Sequence, residues 1–282
     1  MPPRSGHHEL LVISSERQRL RATFEEVPDL YDRARPSYPA QVFDDLAALA
    51  QLPARARLVE IGCGTGQATV PLAERGYRIT CVELGEQLAA VARLKLSAYS
   101  TVEVVNADFE TWMPPAGEFD AVVAFTAFHW IEPERRYERS ASLLRLGGAL
   151  AVVGTKHVLT EDGDRFFADV QEDYLAATGE TDSSPPPHPD FVPDLGDEIH
   201  ASGLFRNVAV RRYVWDVTST ADEYIAVLDT YSGHRALDVT ARERLYGRIR
   251  RRIEARPEGT VRKTYLATLN VAQRVEPRTR SL

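Results

Sequence analysis

The stretch Val59-Glu60-Ile61-Gly62-Cys63-Gly64-Thr65-Gly66-Gln67 limits the possible folds of this chain more than any other. A short apolar run ends in three glycines, each one residue apart, and a helical pattern follows at once. Glycine in that position lets the backbone take positive φ and lets a ligand approach without a Cβ in the way. The helix start then offers free N–H groups and positive potential. The spacing Gly-x-Gly-x-Gly is one residue tighter than the dinucleotide fingerprint Gly-x-Gly-x-x-Gly.

The chain around this loop alternates between strand and helix periodicity. Strands are predicted at residues 58–61, 79–82, 102–105, 119–126 and 149–155, and helices at 67–75, 86–96 and 133–144. Gly76 stops the first helix, and Gly147-Gly148 reads as the turn into the fifth strand. The fourth strand is almost wholly apolar, as a strand covered on both faces would be. Such alternation implies a parallel, doubly wound sheet. Before it, residues 1–25 are polar and expected to fray. Residues 30–39 are too interrupted by proline for a regular element, and a helix then carries Val42, Phe43, Leu46 and Leu49 on one face. After it come a helix at 164–177, a proline-rich loop and a short helix at 195–202. A strand at 205–217, a helical region at 221–256, a strand at 264–272 and a tail complete the chain. The expected fold class is α/β: a doubly wound, Rossmann-like, seven-stranded, mostly parallel sheet with a helical cover. Residues 1–50 are read as a covering segment. Residues 51–282 are read as the main domain, with cover insertions at about 160–190 and 220–256.

Composition narrows the function. With 44% apolar and 27% charged residues, a chain of 282 residues can bury a large core. A net charge of −7 argues against a sequence-independent grip on nucleic acid. Two cysteines, Cys63 and Cys81, leave no disulfide framework and no multi-cysteine metal site. No run of about 18 apolar residues exists, so no membrane span is expected. Residues 1–9 lack a signal-peptide pattern, which makes a reducing cytoplasm the expected compartment. Among the 34 basic residues only Lys95, Lys156 and Lys263 are lysines, so arginine clusters carry less weight than usual. Residues 242–256 hold seven arginines, but Leu245, Ile249 and Ile253 recur every fourth residue, and an amphipathic helix with a solvated basic face is expected.

Candidate ligand contacts fall at the carboxyl ends of successive strands, where open α/β sheets bind ligands. Glu83 ends the second strand and can accept from two ribose hydroxyls. Asp108 follows the third and can accept from an adenine amino group, with Phe109 packing on the base. These readings suit NAD as well as other adenosine ligands. Taken together, Glu60-x-Gly62-x-Gly64-x-Gly66, Glu83 and Asp108 resemble the motifs of the class I S-adenosylmethionine-dependent methyltransferases. The resemblance implies that the glycine loop lies under the methionine and ribose, that Glu83 takes the ribose and that Asp108 takes the adenine. It places Glu60, Cys63, Thr65, Gln67, Leu84, Phe109 and Thr126 near the cofactor, which would leave as S-adenosylhomocysteine.

A narrower resemblance rests on residues 31–39, Tyr31-Asp32-Arg33-Ala34-Arg35-Pro36-Ser37-Tyr38-Pro39, with Ala127-Phe128-His129-Trp130. These are similar to small-molecule methyltransferases of the trans-aconitate methyltransferase type, which carry a helical cover. The segments at 230–235 and 264–269 are similar to uncharacterised members of that group. The fourth strand ends in Phe125-Thr126-Ala127-Phe128, which differs from DNA amino-methyltransferases and from metal-dependent catechol-type enzymes. The expected partner is therefore a small molecule, with no nucleic acid, no membrane and no catalytic metal; oligomeric state has no signature here. His129 is the candidate general base, though a histidine there can equally hydrogen-bond the backbone. Tyr31 and Arg35 are candidates for the cofactor, and Arg35 alternatively anchors a carboxylate or braces its own segment. Tyr38, Trp130, Tyr231 and His234 are candidates for the substrate, against packing roles for each. Small size is enough to explain Cys63 in the loop. The implied activity is methyl transfer to an oxygen or nitrogen, a carboxylate being one case. The alternatives are a cofactor-binding protein that transfers nothing, a cyclase on the same fold, or an NAD-dependent oxidoreductase.

Overall fold

The computed structural model describes residues 28–114, 118–179 and 186–275. The first 27 residues, expected to fray in part, lie outside this range, as do parts of the proline-rich loop and the C-terminal tail. The described residues form two compact units. One contains 36–164, 186–217 and 262–275 and holds the sheet; the other contains 28–35, 165–179 and 218–261 and is mainly helical.

The sheet has seven strands: β1 (Arg57–Ile61), β2 (Arg78–Glu83), β3 (Val102–Asn106), β4 (Phe119–Phe125), β5 (Leu144–His157), β6 (Phe205–Thr220) and β7 (Thr260–Arg274). Their order is β3-β2-β1-β4-β5-β7-β6. The first five run parallel, and β7 pairs antiparallel with β5. Each parallel crossover carries chain back over the sheet, so both faces are covered and the central strands are largely apolar. On β4, Ala121, Val123 and Phe125 enter the core on one face, while Val122 and Ala124 enter the core on the other. On the first face lies helix α2 (Ala40–Leu49), with Val42, Phe43 and Leu46 fully buried. Each such side chain contributes about 1.5–3 kcal/mol of transfer free energy. This helix belongs to the sheet unit, although the sequence reading grouped residues 1–50 as cover.

Four local expectations change. Residues 28–34 form helix α1 (Pro28–Ala34), because the breaking prolines, Pro36 and Pro39, lie beyond it. The glycine pair lies inside β5 and not in a turn before it. Phe119 pairs with Leu144 and Ala121 with Ala149, so residues 145–148 bulge. A Cβ at Gly148 would stand 3.0 Å from the Asp120 carbonyl oxygen, so only glycine fits. After α4 (Glu86–Lys95) and α5 (Pro133–Leu143), the helix expected at 164–177 is two, α6 (Phe166–Asp169) and α7 (Gln171–Thr178). The region at 221–256, after α8 (Gly196–Ala201), is three: α9 (Ala221–Leu228), α10 (Ser232–Arg235) and α11 (Val239–Glu254). Caps mark the start of the region and its last break. Thr220 and Glu223 form a capping box, and Asp238 accepts from the Thr240 and Ala241 N–H groups.

The helical unit is held by the expected apolar stripe and by charge. Leu245, Ile249 and Ile253 of α11 are fully buried. Arg248 and Arg252 reach Asp173 of α7 at 2.9 and 2.5 Å. Arg250 pairs with Asp222 at 2.7 Å. The basic run is thus tied into ion pairs of its own unit. No helix among the described residues is long and apolar enough to cross a membrane.

Candidate functional site

The loop after β1 is wound left-handed at each glycine: φ is +60° at Gly62, +57° at Gly64 and +87° at Gly66. The Gly62 N–H donates to the Val82 carbonyl at 2.8 Å, which seats the loop on β2. A Cβ at Gly62 would lie 2.8 Å from the Cβ of Ala127, so the loop also lies hard against the end of β4. The following helix, α3 (Thr69–Glu74), starts two residues later than expected, and Gln67 is a half-buried loop residue.

Glu83 closes the geometry. Its two carboxylate oxygens accept from the N–H groups of Gly64 at 2.8 Å and Gly85 at 2.9 Å. One side chain therefore ties the glycine loop to the end of β2. A carboxylate accepts about four hydrogen bonds. Beside it Leu84 is 47% exposed, an apolar side chain presented at a strand end. Asn106, which the sequence reading left out of the site, donates to the carbonyls of Glu83 and Leu84 at 3.0 and 2.9 Å and so fixes both residues. Asp108 is half-buried and accepts from the Glu110 N–H at 2.9 Å, turning the chain after β3. Phe109 is only 5% exposed; it packs in the core under this turn, with the Arg139 guanidinium 5.6 Å from its ring centroid.

Beneath the loop lies a second layer. Glu60 is 1% exposed and accepts from the Thr69 hydroxyl at 2.7 Å, with the Cys81 thiol 3.9 Å away. Burial raises its carboxyl to about 7, and Glu83 adds to the rise. Cys63, beside Cys81 and equally buried, has its thiol pushed up by both causes, which suits a packing residue. Thr65 is fully buried. Glu60, Cys63 and Thr65 thus form the floor of the loop, and Gly62, Gly64, Glu83, Leu84 and Asp108 its rim.

Thr126 follows β4 directly with φ +54°, a conformation that costs a non-glycine residue about 1–2 kcal/mol. It is held there by its N–H to Val153 at 2.7 Å and by hydroxyl contacts with Tyr38 at 2.9 Å and Thr155 at 3.3 Å. Strain of this kind gathers at functional sites. The Tyr38 ring itself packs on Phe43 and Phe125. His129 is exposed in the short helix Phe128–Trp130, its ring 4.9 Å from that of Trp130.

The remaining candidates lie in the helical unit and form their own cluster. Arg35 donates to the Thr230 carbonyl at 2.9 Å, and its guanidinium lies 4.9 Å from the ring centroid of Tyr31 and 4.4 Å from that of Tyr231. His234 bonds the Tyr174 hydroxyl at 3.1 Å and stacks on Tyr246. In this structure Arg35 thus braces its own segment, one of the readings open to it.

Comparison with known proteins agrees with this geometry. Residues 59–152 match the methyltransferase domain family. An uncharacterized methyltransferase of Mycobacterium tuberculosis is 34% identical over 142 residues, 50% of this chain and 55% of that protein. The trans-aconitate 2-methyltransferase of Paracidovorax citrulli is 33% identical over 125 residues, 43% of this chain and 45% of that one. The chain spans about half the length of the curated relatives it matches. Among solved structures, an Anaeromyxobacter dehalogenans protein described as a type II methyltransferase aligns over 86% of this chain and 99% of its own, at 22% identity and a TM-score of 0.59, a likeness of fold.

Proposed function

We propose, from the premise that residues 59–152 are a methyltransferase domain, that this chain transfers a methyl group from S-adenosylmethionine to an oxygen or nitrogen of a small molecule, without a catalytic metal. The observation that carries this reading is the Glu83 carboxylate, bonded at once to the glycine loop and to the N–H of Gly85. A carboxylate so held suits a ribose diol, the exposed Leu84 suits the flat face of an adenine, and Asp108 suits its amino group. The left-handed glycines leave backbone N–H groups for the polar end of the same ligand.

When bound, S-adenosylmethionine supplies an activated methyl group on a sulfonium. The work left to the chain is to place an acceptor in line with that methyl and to keep water away. Thr126 and Tyr38 would shape the acceptor side at the end of β4, and aromatic faces there would favour the cation. His129 is exposed, a suitable place for a base that passes a proton to solvent. An acceptor already ionised, such as a carboxylate, needs no base; the relative named for trans-aconitate makes that acceptor class worth testing.

Calorimetric titration with S-adenosylmethionine, S-adenosylhomocysteine and NAD tests the reading. Micromolar binding of the first two is expected, with Glu83→Ala weakening it by about 10- to 100-fold, the worth of one or two charge-assisted hydrogen bonds. Binding of NAD in their place would overturn it. Binding without any transfer product across acids, phenols and amines would point to the non-methylating alternative.

A further inference from the structure

One face of the sheet changes chemistry toward the strand ends that carry the glycine loop. Side chains on a strand alternate faces, so Ala151, Val153, Thr155 and His157 of β5 share one. The antiparallel register sets Val153 opposite Leu269, Thr155 opposite Ala267 and His157 opposite Tyr265. Lys263, two residues before Tyr265, belongs to the same row. Ala151, Val153, Ala267 and Leu269 lie in the apolar core. Beyond them the row becomes Thr155, His157, Tyr265 and Lys263, with Trp215 of β6 stacked on Tyr265 at 5.4 Å and 25°. Because β5 runs parallel to β1, this end of the row is at the same edge of the sheet as the glycine loop.

The chemistry of this patch is specific. Lys263 is 5% exposed, with its Nζ 5.0 Å from the Tyr265 ring centroid. Burial, and then the charge of Lys263, lower His157 to about 3, so its imidazole is neutral at any working pH. Thr155, His157 and Trp215 are half-buried. Through the contact of Thr155 with Thr126, the patch joins the strained residue that follows β4. A buried ammonium beside the Tyr265 ring and near a neutral imidazole attracts an anion strongly, because little water competes there.

We propose that Lys263 determines acceptor specificity: its ammonium binds an anionic group, carboxylate or phosphate, of a small acceptor whose apolar part lies against Trp215 and Tyr265. This rests on the methyl-transfer reading above. It assigns a role to a residue that the motifs around the cofactor do not reach.

The test uses the full chain loaded with S-adenosylhomocysteine. Short di- and tricarboxylates, benzoate and cinnamate are titrated against their primary amides, and phenyl phosphate against phenol. Acids or the phosphate should bind, the neutral partners should not, and the two arms separate carboxylate from phosphate. Lys263→Met should weaken that binding, and raise KM for any turned-over acceptor, by about tenfold or more at unchanged kcat. Lys263→Arg should retain most of it, and both variants should keep wild-type affinity for S-adenosylhomocysteine. Neutral partners binding as well as the acids, no anion binding to the loaded protein, or a Lys263→Met variant that binds anions like the wild type would each overturn the inference. Failure of the wild type to bind S-adenosylhomocysteine would instead overturn the methyl-transfer reading on which it rests.

Discussion

Glu60 illustrates how surroundings set the role of a residue. Its place before the glycines marks it as a ligand contact in the sequence, yet the pleat of β1 turns it under the loop to Thr69 and Cys81. Oε2 takes the Thr69 hydroxyl, while the buried Oε1 has no hydrogen-bond partner. Burial lifts the carboxyl to about 7 from an ordinary 4.5. Between those values the folded chain binds the proton and the unfolded chain does not, so stability falls as pH rises through that window. At 1.36 kcal/mol per unit the loss is on the order of 3 kcal/mol. Urea unfolding should therefore show the midpoint dropping from about pH 5 to about pH 8, with Glu60→Gln removing most of the drop. An unchanged slope in the variant would show that Glu60 is ionised in the folded protein. Gly62 is as constrained: Gly62→Ala meets both a positive φ and the Cβ of Ala127 at 2.8 Å. It should lower stability by about 1–3 kcal/mol in thermal unfolding and weaken cofactor binding with it.

At the scale of elements, the pairing of α11 with α7 shows what an arginine-rich helix does here. Asp173 is nearly buried and receives two guanidinium groups from one helix face. Burial pushes its carboxyl up, but the hydrogen bonds and charges of Arg252 and Arg248 outweigh that and hold it below the usual range. A lowered carboxyl contributes stability at neutral pH that is lost as pH falls through the ordinary carboxylate values. Asp173→Asn should cost about 2 kcal/mol, since it leaves two arginines short of a partner while both keep partial access to water. Hydrogen exchange should then quicken in α7 and α11 before it changes in the sheet; equal protection in the variant would make the pair dispensable. A cap explains another departure. Asp238 breaks a helical region that apolar periodicity alone runs together, because a cap is a local hydrogen bond and leaves no trace in the hydrophobic pattern.

For the whole molecule, strand order decides where stability is greatest. β4 lies between β1 and β5, with Ala121, Val122, Val123 and Ala124 fully buried. β3 is an edge strand and is only half-buried. Amide exchange should be slowest in β4 and markedly faster in β3; similar rates would mean that the sheet opens as one unit.

Most of this fold can be read in the chain. Apolar period, glycine punctuation and strand–helix alternation are local signals, and they give the five parallel strands, the glycine loop and the places of Glu83 and Asp108. The bulge at residues 145–148 was hidden, because glycines at a turn and at a bulge look alike until the partner strand is known. The roles of Glu60, Asn106 and Phe109 were hidden as well, since each depends on which face or neighbouring strand end meets it. Hardest to read was the row Thr155, His157, Tyr265 and Lys263, which joins residues about a hundred positions apart. The antiparallel register of β7 against β5 brings them together. Register is a property of two paired backbones, and neither strand carries it alone.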